Sequence, residues 1–420
     1  MTSDCCFQKG LMTFAQAKEK LLEHASSITK TSNVLISKAL NSTLAEKICS
    51  PINVPGFDNS AMDGYAVRLN DVLRDNKAVL VGKSFAGAPY EGDIGQGECV
   101  RIMTGAMVPK GADCVIKQED TSQQGIAKIN EMIFFNKIPS TPVNIRAAGD
   151  DIKVNQTILE PGRKLTAADI GLLSSLGVRE IEIFDSIKIA VFSSGDELID
   201  SNEALEAGKI YDSNRHTTIS ILKQCGFQVT DLGILPDAPD VISNALNNAS
   251  KKVDVIITSG GVSVGEADYI KSIVEQLGNI SLWKVAMKPG KPFAFGNIGD
   301  CHFIGLPGNP VSSMVTLMQL GLPFLRKLQG QLAKDPGYYY ARLTRKIQKS
   351  RGRYEFQRAY ISLNDTFRWE ASPIRNQSSG VLSSMSQANG FIVLEPEAEC
   401  VEVGELVKVQ RFNDLLFVES

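Results

Sequence analysis

Asp254 to Lys271 reads DVIITSGGVSVGEADYIK. An apolar run ends in Gly260-Gly261, a loop of small residues follows, and Glu266 and Asp268 stand two residues apart just before a helical pattern begins. A buried strand, a glycine turn and then a helix is the unit from which open α/β sheets are built, and ligands bind where such strands end. Glycine lets backbone N–H groups approach an anion closely, and the following helix adds a favourable dipole. A phosphate-cradling turn usually carries a lysine, whereas this one carries carboxylates. It contains no G-K-[ST] and no G-x-G-x-x-G, which excludes a Walker loop and leaves a dinucleotide reading weak.

The flanking sequence repeats the unit. IKIAVFSSG, QVTDLGIL, DVIITSGG, PFAFGNI and CHFIGLPG read as strands. NRHTTISILKQCG, DVISNALNNASKK, DYIKSIVEQLG and NPVSSMVTLMQLGLPFLRKL read as helices. That alternation predicts a parallel, doubly wound sheet over residues 183–330 with helices on both faces. Upstream, residues 12–48 read as helical, opening at Thr13 as N-cap, and the helical reading returns at 144–180. Residues 49–142 are rich in Gly and Pro with short β-type runs. They predict a β-rich insertion, framed by a discontinuous helical linking domain of residues 1–48 and 143–182. Residues 331–420 revert to strands and turns, predicting a small β domain, barrel or sandwich. The expected fold class is therefore multidomain α/β and β.

The bulk composition narrows the function classes. The chain has 420 residues, too many for one ordinary core. A formal net charge of -3 excludes general nucleic-acid binding, which shows as a basic surplus. The eight cysteines are scattered without a C-x-x-C, which fits reduced thiols in a cytoplasmic protein. No apolar run is long enough to span a membrane, and the N-terminus lacks the pattern of a secretory signal. The chain has only three histidines, His24, His216 and His302, which argues against histidine-assisted covalent catalysis and against a His/Cys metal site.

Asp196, Glu197, Asp237, Glu266 and Asp268 all fall at or just after predicted strand ends. Several carboxylates on one phosphate-binding edge would repel the ligand unless a cation mediates. Mg²⁺ prefers oxygen ligands and bridges carboxylates to phosphates. Lys284, Lys288 and Lys291, in WKVAMKPGKP, would face an anionic partner. A metal-bridged phosphate ester is the ligand these residues suit.

PGFDNSAMDGYAV, VRIMTGAMVPKGADCVI, SSGDEL, IYDSN, TSGGVSVGEADY, KPGKPFAFG and GLPGNPVS together resemble the signature of the MoeA family, the molybdopterin molybdenumtransferases, in the family's order from about residue 12 to 412. The resemblance implies a central α/β domain of the molybdenum-cofactor-synthesis type and an elongated homodimer with the active site at the dimer interface. It implies that molybdate enters the dithiolene of adenylylated molybdopterin, with Mg²⁺ assisting and AMP leaving. The adenylyltransferase that makes this substrate and the molybdoenzymes that accept the product are the partners it implies. Asp58, Thr104 and Asp151 match active-site residues of the family, Asp58 being delivered across the dimer. Glu197, Asp237 and Asp268 match carboxylates that hold metal or position molybdate and pterin, and Lys284 and Lys288 match anion-facing lysines. Gly260, Gly261 and Ser263 match the ligand loop, Pro307 and Pro310 the loop near the nucleotide, and Arg358 and Ser379 residues of the pterin side.

Two positions depart from the family pattern. Where R-R-x-G-E-D is usual, the chain reads Arg146-Ala147-Ala148-Gly149-Asp150-Asp151, one basic residue short. Where Q-G-S is usual, it reads Gln377-Ser378-Ser379. Two other readings of the same α/β fold stay open on sequence: the adenylyltransferase, which is usually a single domain, and a non-enzymatic scaffold, which in animal relatives is fused to further domains.

Overall fold

The computed structural model describes residues 11–27, 30–123, 125–260, 269–332 and 335–417. The chain divides into two compact units: one comprises the chain up to Glu46, Pro161–Ala167 and everything from Glu180 on, the other Lys47–Glu160 and Ala168–Arg179.

The α/β part of the first unit follows the alternation of its sequence. In chain order it comprises β1 (Lys188–Ser194), α1 (Ser213–Gln224), β2 (Gln228–Leu235), α2 (Pro239–Ser250), β3 (Val255–Ser259), α3 (Tyr269–Leu277), β4 (Asn279–Lys284), β5 (Pro292–Ile298), β6 (Cys301–Leu306) and α4 (Pro310–Thr316). The sheet order is β2-β1-β3-β6-β5-β4. The first four strands are parallel, whereas β5 pairs antiparallel with both β6 and β4 and alone runs the other way, so the sheet is mixed and not wholly parallel as its sequence suggests. The reason is local. Only Gly299 and Asp300 separate β5 from β6, too short for a crossover, so the chain can only turn back on itself.

Strand alternation sends successive side chains to opposite faces. Ile189, Val191, Val255, Ile257, Ile304 and Leu306 pack on one face with Ile219, Leu222, Val311 and Val315 of α1 and α4. Ala190, Phe192, Ile256 and Phe303 pack on the other with Ile242, Leu246, Ile270 and Val274 of α2 and α3. Burial on both faces is why these strands are continuous apolar runs.

Upstream, Thr13 caps the helix Phe14–Glu23 through a capping box with Gln16. The helical reading of residues 12–48 does not extend further. Thr31–Leu35 is a strand paired antiparallel with Glu180–Phe184, a partner 150 residues away that overrides its mixed local pattern. At the other end, strands 354–363, 369–373, 339–343, 406–411 and 390–394 pair in that order. The last closes onto the first, making a small barrel filled by Ala341, Ile361, Ala371, Ile392 and Val409.

The second unit carries a five-stranded sheet in the order 114–117, 64–67, 98–102, 77–84, 132–134. Residues 143–160, read as helical from sequence, belong to this unit as short strands. Ile145–Arg146 pairs with Asn59–Ser60, and Thr157–Leu159 with Ile48–Cys49. Among the described residues no helix is long and apolar enough to cross a membrane, and the six described cysteines are free thiols.

Gly64 shows how tightly the second unit's sheet is drawn. A Cβ there would lie 2.0 Å from the Ile116 carbonyl oxygen, a backbone atom that cannot move alone. Gly64→Ala is expected to cost about 1–3 kcal/mol, read as an earlier urea midpoint. Gly171→Ala, in the open interior of the helix Ala167–Ser175, is expected to stabilise by about 0.5–1 kcal/mol in the same measurement.

Candidate active site

Parallel strands that run the same way end on one edge of a sheet, and the register makes this edge explicit. Ser193 pairs with Ser259, and Ser259 with Leu306, so β1, β3 and β6 end level. Ala294 pairs with Gly305, and Lys284 with Pro292, so β5 begins and β4 ends at the same edge. The loops that leave it are Gly195-Asp196-Glu197, Pro236-Asp237, Gly260 onward, Pro307-Gly308-Asn309-Pro310 and Lys288-Pro289-Gly290-Lys291. Glu197, Asp237, Gly260, Pro307, Pro310, Lys284 and Lys288 therefore share one edge. Gly261, Ser263 and Asp268, together with Glu266, lie outside the described residues.

Along this edge the charges are segregated. The carboxylates sit at β2 and β1, and the lysines at β5 and β4. At about 4.8 Å per strand, four strand spacings put the two groups roughly 20 Å apart. The edge therefore has an acidic end and a basic end with glycine loops between. The glycine loops at the centre are held by hydrogen bonds. Gly260 has φ +95 and donates its N–H to the Leu306 carbonyl at 3.2 Å. A Cβ on Gly308 would meet the Gly260 Cα at 3.9 Å, and Asn214 Nδ2 holds the Gly308 carbonyl at 2.7 Å.

At the acidic end, Asp237 has its carboxyl pKa raised, first by burial and then by the charges of Asp196 and Glu197, against smaller opposing hydrogen bonds from the Asp196 backbone and the Ser194 hydroxyl. Like charges held together in this way favour an added cation. Among the described residues no group of three His, Cys, Asp or Glu side chains is gathered closely enough to hold a metal by itself. The loop that carries Asp196 and Glu197 is fastened from behind. Ile210 N–H donates to the Glu197 carbonyl at 2.8 Å, and the Lys209 ammonium to the Asp196 carbonyl. Arg215, 2% exposed, grips three carboxylates: Asp212 at 3.0 Å, Asp200 at 2.7 Å, and Asp231 of β2. Arg215 has no site role in the sequence reading. Its signal is the spacing in Asp212-Ser213-Asn214-Arg215, which sets a helix-capping Asp three residues before a buried guanidinium.

At the basic end, Lys284 is exposed at the rim of a cavity of about 600 Å³ lined by Met12, Gln16, Lys20, Glu23 and Trp283. Lys288 ion-pairs at 3.2 Å with Glu355, which is 2% exposed on the barrel strand that Met287–Lys288 joins. Arg358, expected to face the ligand, is instead 1% exposed. Its guanidinium donates to the Asn376 and Ser378 carbonyls and to the Ser384 hydroxyl, and burial lowers its pKa to about 10. It shapes the 376–380 loop rather than presenting charge. That loop reaches the edge through the Ser379 carbonyl, which accepts from Val311 N–H at 3.1 Å beside Pro310.

In the second unit, three loops converge. The Asp58 carbonyl accepts from Val108 N–H, and its carboxylate from Ala148 N–H at 2.8 Å. Thr104 donates its N–H and hydroxyl to Asp63 at 2.7 and 2.8 Å, and these bonds lower the Asp63 pKa. Asp151 donates its N–H to the Val54 carbonyl at 3.0 Å. Asp58, Thr104 and Asp151 are all exposed. Asp63 is the member that sequence reasoning missed.

Three family models cover most of the chain: the MoeA N-terminal region (domain I and II) over residues 12–177, a probable molybdopterin binding domain over 190–327 and the MoeA C-terminal region (domain IV) over 340–412. The chain belongs to the MoeA family. It is 44% identical to the molybdopterin molybdenumtransferase of Haemophilus influenzae across 97% of this chain and 100% of that protein. The Bacillus subtilis protein of the same name is 31% identical over 90% of this chain and 89% of its own. A crystal structure of the MoeA protein of Pyrococcus horikoshii matches with a TM-score of 0.82 at 26% identity, covering 96% of this chain and 100% of that one. The MoeA architecture accounts for the β-rich second unit, the doubly wound sheet and the closing barrel.

Two measurements test the acidic end. Arg215→Met leaves Asp212 buried without its cation and is expected to cost about 3–5 kcal/mol in denaturant unfolding. The Asp237 carboxyl, whose pKa rises on folding, penalises the folded state only once ionised. Asp237→Asn and the parent are therefore expected to melt alike below the ordinary carboxyl value of 3.8. The variant should melt increasingly higher than the parent as pH rises from 3.8 to the folded pKa, and by a constant margin above it.

Proposed function

We propose that this chain is a molybdopterin molybdenumtransferase that inserts molybdate into adenylylated molybdopterin and releases AMP, completing the molybdenum cofactor. The observation that carries this reading is the sheet edge with separated charges. An adenylylated pterin is long, with phosphates in its middle, and an edge with glycine loops at its centre suits such a molecule. The exposed lysines at one end offset anionic charge, and the carboxylates at the other favour a cation. Preorganised charge of this kind does most of the work in phosphoryl-group chemistry, because it is already in place when charge develops.

Mg²⁺ is the cation proposed for the acidic end. The raised pKa of Asp237 beside Asp196 and Glu197 supports it, since a divalent ion would relieve that repulsion. Asp268 is proposed to complete the ligand set with Glu197 and Asp237. We further propose a homodimer in the cytoplasm, in which Asp58, Thr104 and Asp151 of one copy serve the edge of the other. Their exposure on hydrogen-bonded loops supports this arrangement.

The test is a single-turnover assay with purified adenylylated molybdopterin and molybdate. Wild type is expected to release AMP only when molybdate is present. EDTA should abolish release and added Mg²⁺ restore it. Asp58→Asn and Lys284→Met should each slow release at least about tenfold with unchanged far-UV dichroism, the loss expected when one charge contact to the transition state goes. Adenylylated pterin made from ATP without molybdate would overturn the reading in favour of an adenylyltransferase.

A further inference from the structure

Among the described residues three buried side-chain polar atoms have no hydrogen-bond partner: Thr258 Oγ1, Trp283 Nε1 and Thr316 Oγ1. Two of them adjoin the edge described above, and the third faces Gly290 of the lysine loop. Thr258 precedes Ser259-Gly260, Trp283 precedes Lys284, and Thr316 ends the α4 segment beneath the lysine loop. Buried polar groups are nearly always paired, and each exception calls for an explanation such as strain, a bound water or ion, or a functional role.

Thr316 is the most informative of the three. In a straight helix a threonine hydroxyl returns to the carbonyl four residues back. Here the helix widens immediately after Thr316 into a π segment, Leu317–Gly321, before resuming as Leu322–Leu328. Pro323 explains the widening, because it has no N–H and its ring excludes a normal turn before it. The Thr316 hydroxyl points instead at Gly290: a Cβ on Gly290 would lie 2.4 Å from Oγ1. Gly290 has φ +108, is buried, and is the middle of Lys288-Pro289-Gly290-Lys291. Both ends of that loop are pinned, by Val285 N–H to the Lys291 carbonyl at 2.8 Å and by the Lys288–Glu355 ion pair at 3.2 Å. Its centre rests on a hydroxyl that bonds to nothing. A valine would fill the same space without leaving a buried hydroxyl unpaired, which selection for stability alone would favour.

We infer that Thr316 is a positioning residue of the proposed reaction, its hydroxyl gaining a hydrogen-bond partner from the Lys288–Lys291 loop when that loop settles on an oxyanion. This rests on the assignment of the basic end as the anion site. The hydroxyl touches no reacting atom. It sets the height of the loop, and hence where Lys288 and Lys291 stand.

The experiment compares wild type, Thr316→Val and Thr316→Ser by thermal melting and by calorimetric titration with AMP and, separately, with molybdate. Without ligand, Thr316→Val is expected to melt at or above the wild-type midpoint. Its affinity for whichever anion binds wild type should fall about tenfold, the equivalent of one hydrogen bond. Thr316→Ser should restore that affinity. Wild-type affinity in Thr316→Val, or a lower unliganded midpoint in that variant that Thr316→Ser corrects, would overturn the inference and leave the anion site standing. Failure of wild type to bind either anion, or binding unaltered by Lys284→Met and Lys291→Met, would overturn the site assignment itself and the inference with it.

Discussion

Three parallel strands that end level are the constraint on which the rest of the structure depends. Because Ser193, Ser259 and Leu306 lie in register, the loops that follow leave the sheet side by side. A slip of one residue in any strand would turn its apolar set from one helical layer to the other, so burial on both faces holds the register. Chemistry at the edge then costs the core little. Gly260 is the constrained member, since its φ of +95 disfavours a side chain and a Cβ there would press on the Ser194 carbonyl at 3.3 Å.

The single reversed strand β5, set between β6 and β4, extends that edge without another crossover helix. It brings Lys284 level with the strand ends and lets Met287–Lys288 step across to the barrel. The barrel closes on itself, so it has no free strand edge except where this short strand adds to it. Arg358 illustrates how the barrel serves the sheet. A buried guanidinium bonded to loop carbonyls is a scaffold for the 376–380 segment, and the segment in turn meets the start of α4.

The charged groups fall into two physical classes. Arg215, Glu355 and Arg358 are buried and fully engaged, and they fix backbone. Asp196, Glu197, Lys284 and Lys291 are exposed on that fixed backbone and can respond to a ligand. Asp237 lies between the classes, crowded by its neighbours and partly hidden, which is why its proton affinity is raised. Thr258, Trp283 and Thr316 are neutral and buried and form a class apart, their polar atoms placed but unsatisfied.

From sequence alone the doubly wound domain was legible, because strands buried on both faces are continuous apolar runs and α1 carries its own Asp212 cap and Gly226 stop. The glycine turns, the acidic strand ends and the lysines were legible too, since such residues at such spacings have few structural reasons to recur. What local sequence does not carry is who pairs with whom. Thr31–Leu35 became a strand only because Glu180–Phe184 was there to receive it, and Ile145–Arg146 only because of Asn59–Ser60. The separation of carboxylates from lysines is likewise a matter of strand order, which brings together or parts residues irrespective of their distance along the chain. Burial decided the remainder: an arginine reads the same in a sequence whether it meets a ligand or, like Arg358, holds up a loop.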